Sequence, residues 1–233
     1  MDLLHISAVD LFPFDCLPRE SQRVISFPQP AGVRLQNTMR DSIDHRSNWA
    51  DVARFQHVAT RMVASQLLAA QQATDTSVLT GADRAPQWPQ GFIGSITHTT
   101  RFAAAAVLPQ STARSVGIDA ERELSADQQA LVRRYCLAND ELDALLSAAS
   151  TLSETQALTL CFSAKEAVFK CLYPLVKHYF DFTCVRIVAN DKHENFLSIQ
   201  VVDAEIAQCV GTNRLIGSYR LAEGHVFTAI RLD

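Results

Sequence analysis

Two long stretches free of helix breakers, one in each half of the chain, constrain the fold more than any other feature of the sequence. Residues 51–72 contain neither Pro nor Gly, and Val52, Phe55, Ala59, Met62, Val63 and Gln66 recur at the spacing of one helix face. Asn48 or Asp51 is the expected N-cap. In residues 155–172, Leu158, Cys161, Phe162, Val168, Phe169 and Leu172 supply a second buried face. That helix is expected to stop before Pro174, which has no N–H for the next helical bond. Strand-like runs follow each helix: 94–97, 102–108 and 115–121 after the first, then 182–188, 195–203, 214–221 and 225–232 after the second. Residues 124–149 read as one further helix, polar on one side. Residues 80–94 read as a Pro- and Gly-rich loop, and residues 1–48 as short strands and loops. The outline is α+β, in two halves joined near residues 109–114.

Composition narrows the functional classes. The 233 residues are 48% apolar and 20% charged, ordinary for a globular chain, so disorder and disulfide scaffolds are excluded. With 21 Lys and Arg against 25 Asp and Glu the formal net charge is −4, which argues against a nucleic-acid-coating protein. Cys16, Cys136, Cys161, Cys171, Cys184 and Cys209 show no metal-binding spacing and read as reduced thiols, pointing to the cytoplasm. The start Met-Asp-Leu-Leu-His does not read as a signal peptide. The longest apolar run, 102–108, is far short of a membrane span, so no transmembrane segment is expected.

Four patterns carry chemistry. In Gly117-Ile118-Asp119-Ala120-Glu121 the strand period of two puts both carboxylates on one face. Such a pair either faces water at a strand edge or gathers a cation, for which Mg²⁺ is the natural choice. In Phe162-Ser163-Ala164-Lys165-Glu166-Ala167-Val168-Phe169-Lys170, Glu166 and Lys170 stand four apart in the favourable order for a helical ion pair. The alternative is a third carboxylate and two ammoniums around a phosphate-bearing ligand. In Gly94-Ser95-Ile96-Thr97-His98-Thr99, the hydroxyls and imidazole at a strand end either bind phosphate oxygens or act structurally. A Ser95/His98 hydrolase lacks the G-x-S-x-G elbow. Arg54 and Arg61, seven apart with His57 between, make a solvated stripe or a phosphate clamp, as does Arg84 in Arg84-x-Pro86-x-Trp88-Pro89.

Taken in order, these segments resemble the 4′-phosphopantetheinyl transferases, within them the enterobactin synthetase component D group. The likeness runs from about residue 50 to 172 and rests on the Arg54–His57–Arg61 helix, Arg84–Gly91, Gly94–Thr99, Gly117–Glu121 and Phe162–Lys170. Thr60, Thr97 and Ala120 depart from the residues usual in that group, and none of the three removes a group that does chemistry.

The resemblance implies a pseudodimer of two similar α+β halves with the active site in the cleft between them. The halves are 1–112, holding coenzyme A phosphates, and 113–233, holding the metal, the catalytic residues and the carrier docking surface. The implied reaction is Mg²⁺-dependent transfer of the phosphopantetheine arm of coenzyme A to a serine of an apo carrier protein, releasing adenosine 3′,5′-bisphosphate. Peptidyl or aryl carrier domains of a nonribosomal siderophore-type synthetase are the implied partners, and the protein is expected to act as a monomer. By the same resemblance Asp119, Glu121 and Glu166 ligate the metal, Glu166 is also the general base, and Lys170, supported by Lys165, stabilises the leaving phosphate. Arg54, Arg61, Ser95, Thr97, His98, Lys165 and Lys170 hold coenzyme A, and the helix around 124–150 receives the carrier. The rival readings are a non-catalytic coenzyme A- or carrier-binding protein and the Ser/His hydrolase.

Overall fold

Residues 102–108 are apolar at every position because their strand is buried on both faces. The computed structural model describes residues 7–9, 14–27, 45–138, 140–149, 151–189 and 195–233. In it β6 (Phe102–Pro109) runs antiparallel between β2 (Gln22–Ser26) and β5 (Phe92–His98). With β1 (Ser7–Val9) these form a four-stranded sheet of order β1-β2-β6-β5. On one face Ala103, Ala105 and Val107 meet Ala59, Val63, Ala64, Leu67 and Leu68 of α1 (His45–Ala70). On the other, Phe102, Ala104, Ala106 and Leu108 meet Val116, Ile118 and Ala120 of β7 (Ser115–Arg122) and Phe227 and Ala229 of β11 (His225–Leu232). The alanines let three layers close on one strand, and the apolar area removed from water holds them there.

The second sheet is also antiparallel, in the order β7-β11-β10-β9-β8, with β8 at Val185–Ala189, β9 at Phe196–Val201 and β10 at Arg214–Ala222. Its far face is covered by α4 (Glu154–Val176), whose Ala157, Leu158, Ala164, Ala167 and Leu172 are fully buried. Gly117 permits this approach. A Cβ there would stand 2.0 Å from the Ala167 carbonyl oxygen and 2.5 Å from the Cys171 nitrogen. Each half is thus a long helix on an antiparallel sheet, and the two sheets pack face to face. This is the expected α+β pseudodimer.

Several elements differ from the sequence expectation. Helix α1 begins at His45, so Asn48 and Asp51 lie inside it and neither caps it. The single helix expected over 124–149 is two, α2 (Ala126–Tyr135) and α3 (Glu141–Ala148). The reason is Glu141, which turns inward and accepts the Ala138 N–H at 3.0 Å and the Ile187 N–H at 2.5 Å. Helix α4 runs past Pro174, because proline removes one bond near the end while buried Val176 holds the last turn. Lys177 then closes it at φ 63°, its N–H on the Tyr173 carbonyl. The supposed loop 80–94 contains a hairpin of β3 (Leu79–Thr80) and β4 (Pro86–Gln87). A short helix α5 (Ala204–Val210), capped by Asp203 and stopped by Gly211 at φ 76°, was not expected. Among the described residues no helix is long and apolar enough to cross a membrane.

Candidate active site

The alternation of β7 sends Ile118 and Ala120 into the core between the sheets and turns Gly117, Asp119 and Glu121 towards α4. On α4, Ser163, Glu166 and Lys170 step by three and four and so share the face lying on β7. Asp119, only 3% exposed, is the centre of the cluster. Its Oδ1 accepts from Lys170 Nζ at 2.5 Å and from Thr97 Oγ1 at 3.2 Å, and its Oδ2 accepts from Ser163 Oγ at 2.8 Å. Lys170 therefore pairs with Asp119, and the helical Glu166–Lys170 ion pair read from the spacing is not formed.

Charge is crowded around this pair. Glu121 is pushed up to about 7, first by burial and then by Asp119 and Glu166, with Lys170 opposing. Glu166 is also raised, by burial first and then by Asp119, again against Lys170. His98, at the end of β5, is held below its ordinary value by desolvation and then by Lys170, with Asp119 opposing and His57 adding to the depression. His98 thus feels charges of both the Asp119 cluster and α1.

That stripe is the exposed side of α1, where Arg54 and His57 face solvent. Arg61 lies 3.0 Å from His57 Nδ1 and donates to Thr80 Oγ1 of β3 at 2.7 Å. Gln56 donates to the Thr99 carbonyl at 3.0 Å, tying α1 to the turn that carries His98. The β3–β4 hairpin faces the other half too: burial first, then the Asp83 carboxylate, raises the Tyr173 phenol of α4.

Three expected site residues are used by the fold itself, and of these Thr97 alone also meets Asp119. Lys165 is fully buried on the side of α4 away from Asp119, where its ammonium donates to Glu141 at 2.8 Å and to the Val185 and Phe182 carbonyls at 2.9 and 3.2 Å. This corrects the expectation that it meets the leaving phosphate. Ser95 and Thr97, both buried, spend their hydroxyls on the seam between the halves. Ser95 Oγ accepts the Ile118 N–H at 3.0 Å, and Thr97 Oγ1 accepts the Ala120 N–H at 3.3 Å. That placement also removes Ser95 as a hydrolase nucleophile. Two residues escaped the sequence reading. Ser163 lay inside a quoted motif without a role, and Thr228 lies on β11, 2.9 Å from Ser163 Oγ.

Asp119, Glu121 and Glu166 form an all-oxygen donor set whose mutual repulsion a hard divalent cation would relieve, so their chemistry fits Mg²⁺. Among the described residues no three acidic, His or Cys groups already converge at ligating geometry, and Lys170 now occupies Asp119.

Carboxylates and a lysine thus cluster at the seam of two α+β halves, with a histidine and the arginines of α1 on the other half. Comparison with known proteins makes the class specific. The profile of the 4′-phosphopantetheinyl transferase N-terminal domain matches residues 47–108, and that of the 4′-phosphopantetheinyl transferase superfamily matches 115–223. The chain is 34% identical over 156 residues to 4′-phosphopantetheinyl transferase Svp of Streptomyces mobaraensis, covering 66% of this chain and 61% of that protein. It is 31% identical over 159 residues to 4′-phosphopantetheinyl transferase Npt of Nocardia iowensis, covering 64% of this chain and 69% of that protein. Enterobactin synthase component D of Salmonella typhi matches at 39% over 90 residues, covering 39% of this chain and 36% of that protein. The chain belongs to the 4′-phosphopantetheinyl transferase superfamily.

Proposed function

We propose that this protein is a phosphopantetheinyl transferase that moves the 4′-phosphopantetheine arm of coenzyme A to a serine of apo carrier proteins, releasing adenosine 3′,5′-bisphosphate. The observation that carries this reading is the pinned Asp119–Lys170 pair flanked by two carboxylates with raised pKa, in a member of this superfamily. The attacking serine oxygen forms its bond to phosphorus as the pyrophosphate P–O bond breaks, so the site must take one proton and hold developing negative charge. Glu166 takes the serine proton, as the carboxylate of α4 that no side-chain donor among the described residues holds. Asp119, Glu121 and Glu166 would hold Mg²⁺. When bound, that ion supplies charge neutralisation at the pyrophosphate oxygens. Lys170 is the ammonium next to the leaving phosphate. His98, Arg54 and Arg61 bind the remaining coenzyme A phosphates, with His98 neutral and able to accept or donate. Residues 1–112 and 113–233 are the working halves, with the carrier received by the α2–α3 region.

The match to an enterobactin synthase component favours peptidyl or aryl carrier domains of a siderophore-type synthetase as partners. Six free cysteines favour a cytoplasmic location, and we take the monomer as the working unit. The test is intact-mass measurement of an apo peptidyl carrier domain incubated with this protein, coenzyme A and Mg²⁺, beside a chelator control. A Mg²⁺-dependent gain of one phosphopantetheine mass, absent when the carrier serine is replaced by Ala, is expected. Coenzyme A binding with no gain on peptidyl, aryl or fatty-acid carriers would overturn the transferase reading in favour of a binding protein.

A further inference from the structure

We propose that Ser163, backed by Thr228, is a positioning residue that presets Asp119 as the fixed ligand of the cation site, an inference that rests on the transferase reading above. Proton counting sets the direction of the chain. Paired with Lys170, the Asp119 carboxylate only accepts, so the single hydroxyl proton of Ser163 goes to Oδ2 at 2.8 Å. Ser163 Oγ is then left as an acceptor. The single Thr228 proton is shared between that oxygen at 2.9 Å and the Ser163 carbonyl at 3.0 Å, two acceptors on one residue.

Ser163 and Thr228 are both fully buried, so no bulk water competes for these bonds. The chain draws on three elements at once: β7 supplies Asp119, α4 supplies Ser163 and β11 supplies Thr228. Thr97 adds a fourth from the other half through Oδ1. By contrast, neither Glu121 nor Glu166 has a side-chain hydrogen bond among the described residues, and both are half-buried. One carboxylate is therefore held in place and two are left to adjust, so the bound geometry has to be found only by the latter. Groups that orient a metal-ligating carboxylate typically cost about 10–100-fold in metal affinity when removed.

The test measures Mn²⁺, a spectroscopic substitute for Mg²⁺, binding to the full chain with coenzyme A by electron paramagnetic resonance. Ser163→Ala is expected to raise the Mn²⁺ Kd about 10–100-fold. Thr228→Val, which keeps shape and loses the hydroxyl, is expected to raise it by a smaller factor, and Thr228→Ser to restore it. The metal concentration for half-maximal transfer should rise in parallel, while kcat at saturating metal stays near the wild-type value. Wild-type Mn²⁺ affinity in both Ser163→Ala and Thr228→Val would overturn the proposal, and if Ser163→Ala fails to fold, the Val and Ser variants of Thr228 decide it. A wild-type chain that transfers without binding Mn²⁺ overturns this proposal alone. One that does neither overturns the transferase reading as well.

Discussion

Replacing Lys165 by Met separates a structural lysine from a catalytic one. Both side chains of the Lys165–Glu141 pair are fully buried, and the ammonium has three acceptors within 3.2 Å. Methionine fills a similar volume, so little cavity is created and the loss is electrostatic. Glu141 would keep the Ala138 and Ile187 N–H donors and lose its counter-ion. Breaking one side of a buried pair costs about 3–5 kcal/mol, because the remaining charge is stranded. For a chain of this length that lowers Tm by roughly 10 °C. The assay is urea unfolding of Lys165→Met, Glu141→Gln and the double variant, with transfer measured on each at a temperature where all are folded. The double variant should be more stable than Lys165→Met alone, with a coupling of about 1–3 kcal/mol, since neutralising Glu141 removes the stranded charge. Its kcat should remain near wild type. A Lys165→Met protein of unchanged stability but lost kcat would refute the reasoning and return Lys165 to the chemistry.

The pH dependence of stability carries a sign that Glu121→Gln should reveal. Glu121 has an ordinary value of 4.5 and a folded value of about 7, so the fold favours its neutral form and loses stability as pH rises from 4.5 through 7. Without Mg²⁺, Glu121→Gln should therefore gain on wild type between pH 5 and pH 8, by about 1–3 kcal/mol after allowing for partial exposure. An equal offset at both pH values in urea unfolding would refute this. Gly117→Ala should destabilise by about 1–3 kcal/mol or more, since its Cβ meets α4 backbone that cannot step aside; a Tm within a degree of wild type would contradict the packing. Arg54→Ala should raise the KM for coenzyme A several-fold with kcat little changed, because Arg54 is exposed on α1 and no contact ties it to the Asp119 cluster among the described residues; an unchanged KM would remove it from the phosphate site.

The layers were legible from the sequence where burial writes a pattern. The α1 and α4 faces repeat at helical spacing, and the alternation of β7 put Asp119 and Glu121 on one side. What pattern could not carry was partner choice. Glu166 and Lys170 are spaced for each other on the helix surface, yet Lys170 reaches across to Asp119, because a buried carboxylate gains more from a counter-ion than an accessible one does. Lys165 reads like its neighbours in a lysine- and glutamate-bearing helix. Only the packing of α3 and β8 behind α4 shows that its ammonium faces inward. Thr228 was invisible because nothing local marks a threonine in a strand as part of a chain leading to a carboxylate on another strand.

The seam between the halves explains why Ser95 and Thr97 looked like ligands and are placed as structure. Two sheets packed face to face still leave β5 and β7 as sheet edges, and unpaired N–H groups on a buried edge are costly. The strands do not pair by backbone. Instead the outward side chains of β5, two residues apart, accept the N–H groups of Ile118 and Ala120, also two residues apart, in the same register. Thr97 does this while donating to Asp119 from the same oxygen. Joining the halves and orienting the central carboxylate are thus one interaction. A change that loosens the seam at Thr97 reaches the site within a single side chain, even though it touches neither Glu166 nor Lys170.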